Sequence, residues 1–410
     1  MLGAAAVTPL ARSGWGGLAR DPAGPGFRVR TITAGITLRS PTDTEAPEAA
    51  LAFLKGAKRA IADAGYEVQT LRIATQPFLE GAGSRARADA LTALQALDRA
   101  VVAETVLVSI GPVLAPHGDD PDFPAWAAEL ARSTRNMSFT ARVASPERGA
   151  SPRGVTAAGE AMVAIARATA GGIGNFRFAA AANVPAGTPF FPVAYHSGAD
   201  AVAIGLESPP LLSAAFDGAS TLAEAKQRLT ELFESRVGPL ERLVRGVARR
   251  DERSYGGIDV SPAPGKDASI GAAIEVLTGV PFGAASTLAG CAAITDVLKS
   301  LRLKTCGYSG LMLPVLEDPV LAQRASEGRF SVRELLLYSS VCGTGLDVVP
   351  LPGDTPADRL AALIVDVAAL STKLRKPLSA RLFPVPGKAA GDVVHYDDPY
   401  LTDCAVMKVE

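Results

Sequence analysis

Strand-like and helix-like segments alternate along most of this chain, and that alternation restricts the fold more than any other feature. Residues 27–38 alternate β-branched or apolar residues with polar ones, which predicts a strand with Arg28 and Arg30 on one face. Residues 47–64 carry apolar side chains at helical spacing, and residues 67–75 alternate again. Such a pattern predicts an α/β protein with a sheet covered by helices.

The same pattern continues into the second half of the chain. Helices are predicted at 85–103, 121–134, 154–170 and 221–249, and strands at 105–110, 137–143, 176–182 and 201–206. Gly- and Pro-rich joints recur throughout rather than at one boundary, so residues 27–410 are predicted to form a single domain. Residues 1–26, rich in Ala, Gly and Pro, are predicted to be a disordered N-terminal extension, with a targeting peptide as the alternative.

Composition restricts the partners. The 410 residues carry a net charge of -1, so no basic excess attracts nucleic acid or an anionic membrane. No apolar run approaches the roughly 20 residues of a transmembrane helix. The four cysteines lack Cys-x-x-Cys spacing, which favours a reducing cytoplasm as the location. Abundant Ala and Gly in the predicted helices favour a homodimer.

Polar residues near the ends of the later predicted strands are the candidate site, because barrel enzymes place their chemistry there. The candidates for proton transfer are Asp259, Glu317 and Asp347. Paired carboxylates of this kind can also hold a divalent cation, Mg²⁺ or Ca²⁺, through oxygen ligands. The candidates for substrate binding are Asn175, Arg177, His196, Arg381 and Lys388. Among these, Arg177 and Arg381 are expected to clamp a substrate carboxylate or phosphate. The alternative is an internal ion-pair network that only stabilises the fold.

Cys342 is a further catalytic candidate. It precedes Gly343-Thr344-Gly345 after a predicted apolar strand, where a thiolate can be exposed, and the alternative is a buried small apolar residue. The glycines match neither a phosphate loop nor a dinucleotide fingerprint, which favours a structural turn. Three scattered histidines offer no spacing for a zinc or iron site.

Several segments, taken in order, resemble the domain of unknown function 711 family. They are 30–36, 175–178, 189–196, 256–264, 310–318, 342–354 and 376–388, followed by Gly391-Asp392. The resemblance covers most of the chain and implies a β/α barrel of the pyruvate formate-lyase-like type, with alternating strands and helices. The sequence therefore predicts one large barrel domain.

The resemblance to the pyruvate formate-lyase-like type suggests radical catalysis as a hypothesis. Such catalysis needs a C-terminal glycine motif and a cysteine at the barrel centre. The one Arg-Val-Gly sequence, at 236–238, falls in a predicted helix, and Gly391 lacks the Arg-Val lead, so a glycyl radical is not expected. The expected function is a non-radical enzyme that acts on a small carboxylate or other anionic metabolite by acid/base chemistry. The alternative is a ligand-binding or regulatory protein on an inactive barrel, since the resemblance includes relatives encoded beside an amino-acid-sensing ACT protein.

Overall fold

A computed structural model describes residues 26–115 and 120–409 of the chain. Its strands are β1 Arg28–Ile36, β2 Val68–Thr75, β3 Val106–Leu114, β4 Met137–Ser145, β5 Gly149–Ala150, β6 Phe178–Ala182, β7 Ala201–Glu207, β8 Ser254–Asp259, β9 Gly345–Pro352, β10 Leu378–Val385, β11 Val393–Val394 and β12 Cys404–Ala405. The predicted extension over residues 1–26 lies outside the described residues, apart from Gly26.

Helices occupy most of the connections between the strands. They are α1 Glu45–Asp63, α2 Ser84–Val102, α3 Phe123–Ser133, α4 Pro152–Ala168, a 3₁₀ helix Ala170–Arg177, α5 Pro209–Phe216, α6 Leu222–Arg250, α7 Ile270–Thr278, α8 Thr287–Ser300, α9 Pro319–Ser326, α10 Val332–Ser339 and α11 Ala357–Leu374. Within the described ranges, no helix is both long enough and apolar enough to cross a bilayer.

Ten strands form one mixed and mostly parallel sheet. Nine of them follow the order β8-β7-β1-β2-β3-β4-β6-β10-β9, and β5 pairs with β4. The β1–β7, β6–β10 and β4–β5 pairs are antiparallel, and the other pairs are parallel. This arrangement confirms the α/β class. Every strand and helix predicted up to residue 249 is present, with ends shifted by at most four residues.

The helices cover the sheet with one apolar face each. On α1 the buried side chains include Phe53, Leu54, Ala57 and Ile61, which recur every three or four residues, and the helix packs against β1 and β2. That spacing places them on one helical face. The central strands β1 and β2 are buried along almost their whole length, as expected for strands of a sheet that is covered on both faces.

One segment, residues 304–316, bonds to both edge strands of the sheet. At its start Lys304 O accepts from Ile258 N at 2.8 Å, and Cys306 N donates to Ile258 O of β8 at 3.1 Å. At its other end Val315 N donates to Asp347 O of β9 at 3.1 Å. Backbone groups of both edges thus find partners that an open edge would leave unpaired.

Two glycines let this segment approach β9 closely. A Cβ on Gly343 would lie 2.7 Å from backbone atoms of Gly310, a separation that Cβ atoms do not reach in real structures. Any side chain at position 343 must therefore push the segment away from the sheet.

We predict that Gly343→Ala lowers the free energy of unfolding by about 1–3 kcal/mol, because the new methyl group collides with backbone that cannot yield cheaply. The matched control is Gly246→Ala inside α6, where no atom lies within 4 Å of the added Cβ. That change should stabilise the helix by about 0.5–1 kcal/mol. Urea denaturation of both variants checks the pair, and an unaltered midpoint for the position-343 variant would contradict the close approach.

Candidate functional site

A cavity of about 560 Å³ lies against one side of the sheet. Its wall includes Arg30 of β1, Arg72 of β2, Asp347 of β9 and Arg381 of β10, together with Glu317 at the end of the segment that bonds β9. The volume falls within the range of sites that bind small molecules. The cavity thus collects charged groups from four strands that are separated in sequence.

The three arginines Arg30, Arg72 and Arg381 are the most unusual part of this wall, and we call them the arginine cluster. Their exposed fractions are 5%, 7% and 6%. Each occupies a strand between mostly apolar neighbours, so the strand geometry directs it away from the covering helices and into the cavity. Buried guanidinium groups are costly unless anions compensate them.

Glu317 compensates two members of the cluster at once. Its Oε1 accepts from Arg381 Nη2 at 2.6 Å, and its Oε2 accepts from Arg30 Nη2 at 3.2 Å. Arg381 Nε also donates to Asp347 Oδ1 at 2.7 Å, and Arg30 Nη1 donates to Glu207 Oε2 at 3.1 Å. Arg30 and Arg381 are therefore each held between two carboxylates.

A β-bulge sets the position of Asp347. The pairing of β9 with β10 shifts by one residue between Ala380 and Leu382, and Val348 has a φ of 47°. A β-branched residue in this left-handed region is strained. Bulges re-aim side chains, and strain of this kind concentrates at functional sites. Here the bulge sets Asp347 and Val348 opposite Arg381.

Asp318, the neighbour of Glu317, anchors that glutamate. The Asp318 carboxylate accepts from Val320 N and Leu321 N at the start of α9 and from Ile270 N at the start of α7. It is fully buried and caps two helices at once. Burial raises its pKa, while these hydrogen bonds favour the charged form. Two helix starts thus hold the loop that carries Glu317.

Burial also raises the pKa of the Asp347 carboxyl. Arg381 acts in the opposite direction by charge and hydrogen bonding, and the nearby Glu317 raises the pKa further. A carboxyl that lines a cavity and resists ionisation suits a group that exchanges protons. Asp347 is therefore the candidate for acid/base chemistry that the geometry favours.

Arg72 differs from the other two members of the arginine cluster because no carboxylate of the described residues forms an ion pair with it. Its Nε donates to Thr70 Oγ1 at 3.2 Å, and the guanidinium lies over the Phe191 ring at 4.9 Å from the centroid. Burial, followed by repulsion from Arg30, lowers its pKa to about 9. The guanidinium therefore remains charged at neutral pH, and its terminal N–H groups lack acceptors in the described chain.

Apolar and aromatic side chains complete the wall. The segment 189–196 contributes Phe190, Phe191, Pro192 and Val193. Ser109 Oγ donates to the carbonyl oxygens of Pro192 and Ala194, at 3.1 and 2.7 Å, which ties this segment to β3. A strand serine thus positions the aromatic residue over Arg72.

Exposed residues on the wall mark the opening of the cavity. Arg132, Arg135 and Ala170 are exposed and lie beside the amino ends of β4 and β6. Tyr400, half-buried, lies over the Arg30 guanidinium at 4.3 Å. The wall as a whole carries six arginines and three carboxylates, a formal excess of three positive charges. An anion approaching this opening is attracted inward.

Arg177 lines the same cavity, but its guanidinium donates mainly to backbone carbonyl oxygens. Its Nη2 donates to Ala131 O at 2.5 Å, and its Nη1 donates to Met137 O and Thr134 Oγ1, both at 3.1 Å. These contacts cap the carboxyl end of α3. Burial lowers the pKa of Arg177 to about 10. Arg177 therefore has a structural role beside α3, whereas Arg381 pairs with the carboxylates of Asp347 and Glu317.

Asp259 is fully buried and does not belong to the cavity wall. Its Oδ1 accepts from Ser261 Oγ and from the backbone N–H groups of Ser261 and Ser309, and its Oδ2 accepts from Tyr308 N. Burial raises its pKa, and these bonds oppose the rise. The carboxylate fastens the carboxyl end of β8 to the segment 304–316.

The remaining predicted residues lie elsewhere. Cys342 is buried in the apolar core after α10, rather than after a strand, and is not part of the cavity wall. Asn175 is buried and donates from Nδ2 to Met162 O at 3.0 Å. His196 packs under Gly35, and its Nε2 lies 3.1 Å from Gly198 O. Lys388 lies on an exposed turn after β10.

Sequence reasoning missed Arg72, Tyr308, Ser379 and Tyr400, all of which line the cavity. One available signal was an arginine within an apolar strand, as in Leu71-Arg72-Ile73. No such signal marks a serine or tyrosine. In the described parts of the chain, no group of three or more His, Cys, Asp or Glu is placed to hold a metal ion.

We predict that Asp259→Asn lowers the free energy of unfolding by about 2–4 kcal/mol, because every partner of this carboxylate donates and an amide NH₂ would face one of those donors. Asp366→Asn, on the exposed side of α11, is the control and should change little. A loss of turnover without a loss of stability would instead assign Asp259 to catalysis.

Comparison with known proteins supports the resemblance. A family model described as Uncharacterised ACR (DUF711) matches residues 25–397. UPF0210 proteins of Pelobacter propionicus and Oleidesulfovibrio alaskensis are 29% and 31% identical, over 90% and 84% of this chain and 87% and 80% of their own lengths. A UPF0210 protein of Pyrobaculum islandicum is 36% identical over 65% of this chain, and the match spans 60% of that relative. The chain therefore belongs to the family described as Uncharacterised ACR (DUF711).

Proposed function

We propose that the cavity binds a small metabolite bearing a carboxylate or phosphate group, and that Asp347 exchanges a proton with it. The observation that carries this proposal is Arg72, a buried guanidinium that lines the cavity with no carboxylate paired to it in the described chain. The family name and the relatives' names identify no reaction, so the proposal rests on this chemistry.

A buried charge without a counter-ion is unfavourable, and a protein that keeps one gains from an anion that arrives. Carboxylate and phosphate groups match the planar fork of a guanidinium and accept two parallel hydrogen bonds from it. The other two members of the arginine cluster already have carboxylate partners. Arg72 is therefore the anchor for the ligand anion, and Arg381 with Asp347 lies beside it.

Asp347 is the proton carrier in this proposal. Burial raises its pKa, which favours the uptake of a proton, and the adjacent Arg381 stabilises the carboxylate form. Glu317 holds Arg381 and Arg30 in place for this exchange.

We also infer that the sheet closes into a barrel of the pyruvate formate-lyase-like type. Supporting this, β8 and β9, the two edge strands, both bond to the segment 304–316. Closure would place the arginine cluster in an interior sheltered from water, where charge interactions are strong.

The alternative, a ligand-binding or regulatory protein, has one observation in its favour. Two of the carboxylates next to the arginine cluster, Glu317 and Asp347, are ion-paired with Arg381. Such a network can hold a ligand without performing chemistry. The two functions share the Arg72 anchor and differ in what Asp347 does.

We predict that Arg72→Met abolishes the thermal stabilisation given by small carboxylates and inorganic phosphate, because the anchor for the anion is gone. The ligand-free variant should be more stable than the wild type by about 1–4 kcal/mol, since an unpaired buried charge is replaced by an apolar chain of similar length. Differential scanning fluorimetry checks both effects. Arg59→Met, on the exposed face of α1, should leave the anion response intact. An anion response that survives in the Arg72 variant refutes the anchor.

We predict that Asp347→Asn retains anion binding within about threefold, or tightens it, because a negative charge leaves the cavity. The same change should remove any chemistry on the bound carboxylate. NMR in D₂O follows deuterium incorporation into the ligand or its conversion, with Asp366→Asn as the control. Chemistry that persists in the Asp347 variant contradicts the proton role. Binding by the wild type without exchange or conversion supports the regulatory alternative.

A further inference from the structure

A second set of polar side chains lines the cavity apart from the arginine cluster. It consists of Tyr308, Thr344 and Ser379, which we call the hydroxyl cluster. Ser379 N donates to Thr344 O at 2.8 Å, and Tyr308 Oη lies 2.7 Å from Ser379 Oγ. The three residues therefore adjoin one another on the cavity wall.

On β10, one residue of the hydroxyl cluster lies close to one residue of the arginine cluster. Ser379 and Arg381 are two residues apart on β10, so their side chains lie on the same face about 7 Å apart along the strand. On the neighbouring strand, Thr344 lies just before the start of β9, and Asp347 lies within β9. A ligand that contacts Arg381 and extends along β10 would reach the hydroxyl cluster.

The hydroxyl cluster is only partly satisfied by its own hydrogen bonds. Ser379 Oγ can donate to Thr344 O at 3.2 Å, and either hydroxyl of the Tyr308–Ser379 pair can donate to the other. In both arrangements the tyrosine oxygen keeps a lone pair that can accept a further hydrogen bond. Thr344 is 1% exposed, and its hydroxyl has no hydrogen-bond partner among the described residues. Buried hydroxyls are normally satisfied, so this one lacks its usual partner.

We propose that the hydroxyl cluster recognises an uncharged group that both accepts and donates hydrogen bonds, namely a hydroxyl or a primary amide. The metabolite would then carry this group at a point that lies one two-residue strand step from Arg381 when its carboxylate or phosphate is bound at the arginine cluster. The cluster contains no cation, so a second anionic group would be desolvated there without a counter-ion. This inference rests on the proposed role of Arg72 as the anchor of the anion.

The remaining volume agrees with an extended ligand. A lone phosphate or acetate would occupy only part of a cavity of about 560 Å³. The wall also carries apolar side chains, among them Phe190, Val193 and Met312. A short hydrocarbon chain would pack against these side chains and shed water.

The test compares four five-carbon probes by isothermal titration calorimetry: pentanoate, 5-hydroxypentanoate, glutaramate and glutarate. An extended five-carbon chain places its terminal group on the order of 6 Å from the carboxylate carbon. We expect 5-hydroxypentanoate or glutaramate to bind about tenfold more tightly than pentanoate and than glutarate. Thr344→Val, which keeps the shape of the side chain, should reduce that preference to about twofold while pentanoate affinity stays unchanged.

Tyr308→Phe is the second variant and should lower the preference in the same way, because it removes the acceptor oxygen and keeps the ring. If all four probes bind equally to the wild type and binding is lost in Arg72→Met, the hydroxyl-cluster inference is wrong. The role of Arg72 as the anion anchor is then still supported. A preference that neither the Thr344 nor the Tyr308 variant alters would also overturn it. Binding of any probe that persists undiminished in Arg72→Met, or no binding of any probe, would overturn both proposals.

Discussion

Charged guanidinium groups buried on the strands that line the cavity are the constraint on which the rest of this structure depends. Arg30, Arg72 and Arg381 sit on strands where apolar residues would pack more cheaply, and each must find an anion or remain uncompensated. Glu317 bridges Arg30 and Arg381, and Asp347 completes the environment of Arg381. Only Arg72 stays without a carboxylate in the described chain. That imbalance has a structural cost, which an anion bound in the cavity would remove.

The surrounding fold serves to hold this cluster. The segment 189–196 supplies aromatic side chains of the cavity wall and the segment 304–316 supplies Tyr308, and buried polar groups help to fasten both segments. Ser109 ties down the first, and Asp259 ties the second to β8. Asp318 holds the loop of Glu317 through two helix starts. Carboxylates that look catalytic in the sequence can therefore be structural anchors. Their removal should first affect stability.

The candidate residues illustrate what sequence can and cannot supply. Glu317, Asp347 and Arg381 were proposed from their positions near predicted strand ends, and they meet in one network although 30 or more residues separate each from the next. Asp259 has the same local appearance, yet its carboxylate is surrounded by backbone N–H groups and does not line the cavity. Cys342 follows a helix and lies in the apolar core. Chemical type and local pattern are identical for an anchor and a site residue, because the difference lies in which distant groups surround each.

The sequence by itself determined the α/β class and the order of its elements through residue 249, because apolar periodicity is a local property of the chain. It also carried the family membership. The tertiary structure alone decided which charges share the cavity, that Arg72 is the one left without an anion, and that Arg177 is spent on backbone carbonyls. These outcomes depend on the strand order and on a one-residue bulge at Val348. Both bring together residues far apart in sequence, and no local pattern encodes such pairings.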